Sequence, residues 1–123
     1  MCMMRMRPED RIRIMHMRDA CLSVTRFVHE KERANLDQDE MLCFALVRAI
    51  EIIGEAAGKV SAETRQMAPG IPWREAVDIR NRLIHADFDV DLNVLWRTAT
   101  DDIPVLLQML RALLGDGSHP LAQ

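Results

Sequence analysis

Residues 41–57 read MLCFALVRAIEIIGEAA, and this stretch decides the fold class. Its apolar side chains recur at spacings of four and three residues, which is the period of one face of an α-helix. The residues of that stripe are Leu42, Leu46, Ala49, Ile53 and Ala56. We therefore predict a helix that is capped by Asp37 or Asp39 and runs to about Val60.

The same stretch carries apolar residues that one core face does not need. These are Met41, Phe44, Val47 and Ile52. A helix with so wide an apolar surface in a small bundle typically contacts something else as well, such as another subunit. A purely structural alternative is that this surface serves assembly alone, without a ligand.

Apolar residues with helical spacing also occur on both sides of this stretch. The first helix is predicted to begin at Pro8, with Glu9 and Asp10 in the turn where acidic groups favour the helix dipole. Its stripe is Ile14, Met17, Cys21, Val24 and Val28. The third helix is predicted to begin at Pro72 and to continue as far as His85. Its apolar residues are Trp73, Ala76, Val77, Ile79, Leu83 and Ile84.

The fourth helix is predicted to follow Asp91, which can act as its N-cap, and to end before Gly115. Its stripe is Leu92, Leu95, Ala99, Ile103, Leu106, Leu110 and Leu113. Pro104 lies inside this pattern, so a kink or a break is expected there. A short helical piece is expected over residues 61–67, before the breaker sequence PGIP at 69–72.

The composition agrees with one all-α domain. The chain has 123 residues, of which 49% are hydrophobic and only 4% aromatic, and this balance favours helices over sheet. We predict an up-down four-helix bundle with a short extra helical segment, forming a single domain over 1–123 with an ordered core at about 8–114 and frayed termini. The net charge of −3 excludes a general basic coat for nucleic acid, so any RNA contact would be local.

Cysteine usage and hydropathy favour a cytoplasmic protein. The three cysteines, Cys2, Cys21 and Cys43, are odd in number and lack metal-ligand spacing. The Met-rich, basic start is not followed by the apolar segment of a signal peptide. No apolar run approaches the ~20 residues that a membrane span requires. We therefore expect no membrane contact, no metal and no cofactor.

Residues 80–85 read RNRLIH and are the strongest candidate for a functional site. They place a permanent cation, an amide and a titratable imidazole close together. On a continuous helix Asn81 and His85 share a face, whereas Arg80 points about 140° away from His85, given about 100° per residue. One helix cannot easily aim both groups at one atom, which suggests that a second copy of the chain completes the site.

Other chemistry-bearing residues have simpler interpretations. Glu51 and Glu55 could form a paired-carboxylate site, but a polar helix edge is the better interpretation. Five aspartates could suggest a cation site, although loop solvation and helix capping explain most of them. They are Asp87, Asp89, Asp91, Asp101 and Asp102. We interpret His16, His29 and His119 as surface residues, and Trp73 and Trp96 as core or interface anchors.

Four segments of the chain form a recognisable set. They are FALVRAIEIIGEAA at 44–57, IPWRE at 71–75, RNRLIH at 80–85, and VDL at 90–92 followed by Trp96. Together they resemble the HepT-like (DUF86) branch of the HEPN superfamily. The similarity extends over about residues 10–114, in the same order and spacing, which makes it more specific than an Arg-x4-His pattern alone.

The resemblance implies a helical bundle that pairs as a homodimer and cleaves RNA without a metal. In similar proteins the Arg-x4-6-His motifs face one another across the dimer cleft. On the matching positions, Arg80, Asn81 and His85 would be the catalytic residues. Two-fold pairing would supply His85 twice, as base and as acid, because the unperturbed pKa of an imidazole (~6.5) suits both proton steps.

The resemblance also implies a toxin of a type II/VII-like toxin–antitoxin pair. Similar proteins are encoded beside a minimal nucleotidyltransferase antitoxin, which transfers AMP to a tyrosine two residues after the motif histidine. Asp87 occupies that position here, and the sequence contains no tyrosine, so tyrosine AMPylation is excluded. An alternative is a non-catalytic dimer that serves as a partner or substrate-binding subunit of a nucleotidyltransferase. Asp87 and the acidic balance favour this alternative, whereas the Arg80-Asn81-His85 set favours cleavage.

Overall fold

The computed structural model describes residues 6–85 and 89–115, and this part of the chain is almost entirely helical. The helices are α1 (Pro8–Val28), α2 (Asn35–Gln38), α3 (Glu40–Ala57), α4 (Ala62–Met67), α5 (Trp73–Val77), α6 (Ile79–Leu83), α7 (Leu92–Arg97) and α8 (Ile103–Leu114). A π-helical turn, Thr98–Asp102, joins α7 to α8, and β1 (Ile84–His85) pairs antiparallel with β2 (Asp89–Val90). None of the helices described is long and apolar enough to cross a membrane.

The predicted all-α bundle is confirmed. Its four positions are occupied by α1, α3, the α5–α6 pair and the α7–α8 pair, and α4 is the short extra segment. All five residues of the predicted α3 stripe are buried, and α3 packs against α1, α5 and α6. Helix α1 packs in turn against α8. The core is therefore built around α3.

A side-chain hydrogen bond caps the start of α3, and the helix ends slightly earlier than predicted. Asp39, and not Asp37, caps the helix, because its carboxylate accepts a hydrogen bond from the backbone N–H of Leu42 at 3.1 Å. Asp37 lies instead in the one-turn helix α2, which the sequence analysis did not predict. Helix α3 ends at Ala57, before the predicted Val60.

The fourth helix has the predicted cap and the predicted irregularity. The Asp91 carboxylate accepts from the N–H of Val94 at 3.1 Å, and Gly115 ends α8 in the left-handed conformation with φ of 85°. Pro104 has no N–H to donate, and the π-helical turn lies immediately before its helix. The prediction of a kink or break at Pro104 is thus confirmed as a wider turn in a helix that continues.

The third helix is not continuous to His85, so this prediction is wrong. Asp78, with φ of −93° and ψ of 7°, separates α5 from α6. Helix α6 ends at Leu83, and Ile84 is extended, with φ of −115° and ψ of 113°. The extended conformation is stabilised from outside the segment, because Ile84 pairs with Val90 and the N–H of Asp91 donates to the carbonyl of Leu83 at 2.8 Å.

Candidate active site

Arg80 extends from α6 towards α3, where an acidic side chain holds it. Its Nε donates a hydrogen bond to Oε2 of Glu51 at 2.8 Å. Arg48 Nη1 lies 3.6 Å from Oε1 of Glu51 and 3.2 Å from Oε2 of Glu55. These four residues, which we call the arginine cluster, balance two guanidinium groups with two carboxylates. Glu51 and Glu55 are thus the polar helix edge that the sequence favoured.

Within the arginine cluster, the carboxylate of Glu51 is largely buried and the guanidinium of Arg80 is largely exposed. The side chain of Glu51 is only 20% exposed, whereas that of Arg80 is 56% exposed. Among the described residues, Glu51 is the only hydrogen-bond partner of Arg80, and Arg80 donates to it through Nε. The terminal nitrogens of the guanidinium therefore stay available for an anion, and a guanidinium is well suited to bind a phosphate through two of them.

His85 lies at the end of β1 and faces acidic groups. Its Nε2 is 3.5 Å from Oδ2 of Asp91, and Asp89 stands opposite it in the register of the sheet. The N–H of Val94 holds the pKa of Asp91 below its usual value, with a smaller contribution from His85, although desolvation acts in the opposite direction. The His85 side chain is 58% exposed, so a substrate can reach the imidazole.

Asn81 contacts the break in the third helix and not the histidine. Its Nδ2 donates to Oδ1 of Asp78 at 2.5 Å. The prediction that Asn81 and His85 share a face of one helix is wrong, because His85 lies in an extended strand beyond the end of α6. The expected 140° separation of Arg80 and His85 does not apply for the same reason. Within the described residues, no hydrogen bond or ion pair joins Arg80, Asn81 and His85 to one another.

Two residues of this region were missed as partners by the sequence analysis. Glu51 was considered only as part of a helix edge, although its spacing from Arg48 could have indicated their ion pair. Its contact with Arg80 joins residues 29 positions apart, and no pattern in the neighbouring sequence predicts such a contact. Asp91 was predicted as a cap, but its contact with His85 was not. Asp87, the residue at the expected tyrosine position, lies outside the described residues.

The remaining candidates have structural roles or lie on the surface. Burial raises the pKa of the Cys21 thiol to about 12, so this thiol is a poor nucleophile. Trp73 is buried and donates from Nε1 to the carbonyl of Ala68 at 3.1 Å, while Trp96 packs half-buried against the core. Both tryptophans are core anchors, as predicted. His16 and His29 are exposed, and Cys2 and His119 lie outside the described residues.

Within residues 6–85 and 89–115, no group of three or more histidine, cysteine, aspartate or glutamate side chains could hold a metal ion.

The helical bundle, with Arg80 and His85 exposed at the end of its third helix, defines a HEPN-like protein. The model of the family described as "Ribonuclease HepT-like" matches residues 17–113, and the chain belongs to this family. A relative in Thermococcus cleftensis, named "Probable ribonuclease HepT", is 48% identical over 68 residues. That match covers 55% of this chain and 62% of the relative, so the chain spans less than two thirds of the relative's length.

Two further relatives carry related names. A "Putative RNase" of Methanocaldococcus jannaschii is 36% identical over 81 residues, which cover 66% of this chain and 74% of the relative. A "Putative RNase" of Caldanaerobacter subterraneus is 36% identical over 77 residues, covering 63% of this chain and 69% of the relative. No solved structure matches the chain.

Proposed function

We propose that this chain is a metal-independent endoribonuclease that cleaves RNA at a composite site between two copies of itself. The observation that carries the proposal is the exposure of Arg80 and His85, at 56% and 58% of their side chains, on the consecutive elements α6 and β1. Their chemistry suits phosphodiester cleavage, and the chain belongs to a family whose relatives are named as ribonucleases.

The proposed reaction uses the ribose 2′-hydroxyl as the nucleophile. One imidazole removes its proton, the 2′-oxygen bonds to phosphorus, and the bond from phosphorus to the 5′-oxygen breaks as a second imidazole protonates that oxygen. Arg80 stabilises the charge on the phosphorane, while Glu51 keeps its Nε in place. Asn81 donates one amide hydrogen to Asp78, and its second amide hydrogen is available for a phosphate oxygen.

The need for two imidazoles is the argument for a homodimer, because each copy offers only His85 at this place. A surface on α3 suits such pairing. Met41 and Phe44 are 81% and 62% exposed, which is unusual for large apolar side chains. They precede Arg48 and Glu51 along α3 at spacings of three and four residues, so all four lie on one side of the helix. We call Met41 and Phe44 the α3 apolar patch.

We also propose that the activity is that of a toxin paired with a minimal nucleotidyltransferase antitoxin. The support is the family membership together with the Arg80, Asn81 and His85 set. The sequence has no tyrosine, so the antitoxin would act by binding or on a different side chain.

RNA cleavage by purified protein in EDTA tests this function. Arg80→Ala and His85→Ala should each lower the cleavage rate by at least about 100-fold, because each removes a group acting on the transition state. The matched controls are Arg82→Ala, an exposed arginine of the same helix α6, and His16→Ala, an exposed histidine of α1. Both should cleave like the wild type. Full cleavage by either test variant, or loss of wild-type cleavage in EDTA, would contradict the proposal.

A second candidate function is a non-catalytic binding subunit of a nucleotidyltransferase. The observation that favours it is electrostatic, since Glu51 opposes the charge of Arg80, and Asp91 lies beside His85. Induced expression of the chain without a partner distinguishes the two functions. A ribonuclease toxin arrests growth and degrades RNA, whereas a binding subunit leaves both unchanged and co-purifies with a nucleotidyltransferase encoded beside it.

A further inference from the structure

We propose that Asp91 is the positioning residue for His85 in RNA cleavage, an inference that rests on the proposed function. The two oxygens of the Asp91 carboxylate make different contacts. Oδ1 accepts the N–H of Val94 at 3.1 Å, and Oδ2 lies 3.5 Å from Nε2 of His85. The helix cap thus fixes the carboxylate, and the fixed carboxylate orients the imidazole. Nδ1 of His85 is left to face the substrate.

Asp91 is held in place before any substrate binds. Its own N–H donates to the carbonyl of Leu83 at 2.8 Å, which anchors it to the end of α6. The register of the sheet pairs Ile84 with Val90 and His85 with Asp89. Two residues beyond Asp89, Asp91 lies diagonally across from His85, within reach of a long or aromatic side chain. A backbone hydrogen bond and the strand pairing therefore hold Asp91 directly beside the segment that carries His85.

Charged residues occur on three elements near β1 in the chain. β2 contains Asp89, α6 contains Arg80 and Arg82, and α7 contains Arg97 and is capped by Asp91. Within the described residues, only Asp91 approaches the imidazole to ion-pair distance. Asp91 is therefore the charged group placed to orient the ring.

Substitutions that keep the helix cap isolate this role. Asparagine and serine both cap helices well, so Asp91→Asn and Asp91→Ser should preserve α7 while removing the charge beside His85. We expect kcat to fall about tenfold, as for the loss of a residue that orients another, with little change in KM. Asp91→Glu keeps the charge and should recover part of the activity.

Asp39 offers a matched control for the capping role. It caps α3 through a bond to the N–H of Leu42 at 3.1 Å, the same length as the bond from Val94 to Asp91. No imidazole lies beside it among the described residues. Asp39→Asn should leave both kcat and KM unchanged. Wild-type kcat in Asp91→Asn would overturn the positioning role, while loss of cleavage in His85→Ala would leave the proposed function intact.

A second measurement does not depend on RNA cleavage. His85 helps to hold the pKa of Asp91 below its usual value, so in His85→Gln the pKa of Asp91 should rise. Titration of the Asp91 carboxyl carbon by NMR measures this change directly. An unchanged Asp91 titration would overturn the inference. A wild type that cleaves no RNA would overturn the proposed function. The Asp91 titration would still show whether Asp91 and His85 interact.

Discussion

At the scale of single residues, two carboxylates contact the candidate catalytic side chains. Glu51 holds Arg80 and Asp91 lies against His85, and both of the latter side chains are more than half exposed. Ion pairs between exposed groups typically stabilise a protein by only ~0–1 kcal/mol. We infer that these contacts matter more for the orientation of the cation and the imidazole than for the stability of the fold.

A different carboxylate, that of Asp10, stabilises the fold. Asp10 is only 3% exposed and accepts hydrogen bonds from the N–H of Ser61 at 3.0 Å, the Ser61 hydroxyl at 2.5 Å and the Thr64 hydroxyl at 2.6 Å. Burial alone would raise its pKa, but these hydrogen bonds, with a contribution from Arg7, hold the pKa below its usual value. The first turn of α1 is thereby joined to the start of α4.

Asp10→Asn should lower the free energy of unfolding at pH 7 by about 1–2 kcal/mol, because an amide replaces a charged acceptor. The folded pKa of Asp10 lies below the unfolded value of about 3.9, so its contribution is complete above that value and is lost as the pH falls through the folded pKa. The wild type should therefore lose more stability than the variant on acidification.

Urea denaturation at pH 7 and pH 3 measures this difference. Asp19→Asn is the control, since Asp19 is an exposed carboxylate on the same helix α1. Equal loss of stability in the wild type and Asp10→Asn would contradict a role for this carboxylate.

At the scale of elements, α3 approaches α5 and α6 closely at Gly54. A Cβ added at Gly54 would lie 3.0 Å from the carbonyl oxygen of Ala76 and 3.4 Å from Cγ2 of Ile79. The absent side chain at Gly54 therefore allows the backbones to approach. This approach occurs three residues after Glu51 and one residue before Arg80, so the packing of these helices also sets the position of the arginine cluster.

Gly54→Ala should destabilise the protein by about 1–3 kcal/mol, since overpacking outweighs the ~1 kcal/mol gain in helix propensity. Gly58→Ala is the matched control. A Cβ at Gly58 would meet nothing closer than 3.5 Å, and its backbone is already right-handed helical. Its free energy of unfolding should stay unchanged or increase slightly. Thermal denaturation of both variants measures the difference, and a stability gain at Gly54 would contradict the close approach.

On the scale of the whole molecule, the net charge of −3 gives no overall electrostatic attraction for RNA. The arginine cluster also balances its own charges. Binding of RNA by one copy would therefore depend on local cations such as Arg80. A dimer that brings two Arg80 side chains to one groove would double the local positive charge, which favours the composite site proposed above.

Phe44→Glu should dissociate the proposed homodimer, because it places a charge in the α3 apolar patch. Light scattering should give twice the 14.1 kDa chain mass for the wild type and the single mass for the variant. RNA cleavage should be lost although Arg80 and His85 are unchanged. Val105→Glu on α8 is the control, since Val105 is 55% exposed, similar to the 62% of Phe44. A monomeric wild type that cleaves RNA would refute the composite site.

Much of the helical pattern could be predicted from the sequence, although α2 was not predicted and the third helix is interrupted at Asp78. The α3 stripe, the cap at Asp91 and the stop at Gly115 were predicted, and Asp39 was one of two candidate caps for α3. Each depends on interactions within one or two helical turns, such as a side chain accepting the N–H three residues later. The motif residues Arg80, Asn81 and His85 lie close together in the sequence and could be proposed from it, and their catalytic role stays a prediction.

The way in which those motif residues are presented depends on contacts between elements. Helix α6 ends at Leu83, where the N–H of Asp91 donates to the Leu83 carbonyl and β2 pairs with the following strand β1, and these partners lie several residues away. The contact of Arg80 with Glu51 spans 29 positions. Such contacts depend on the angle and rotation at which whole elements pack, to which every core side chain contributes. No local pattern of residues encodes them.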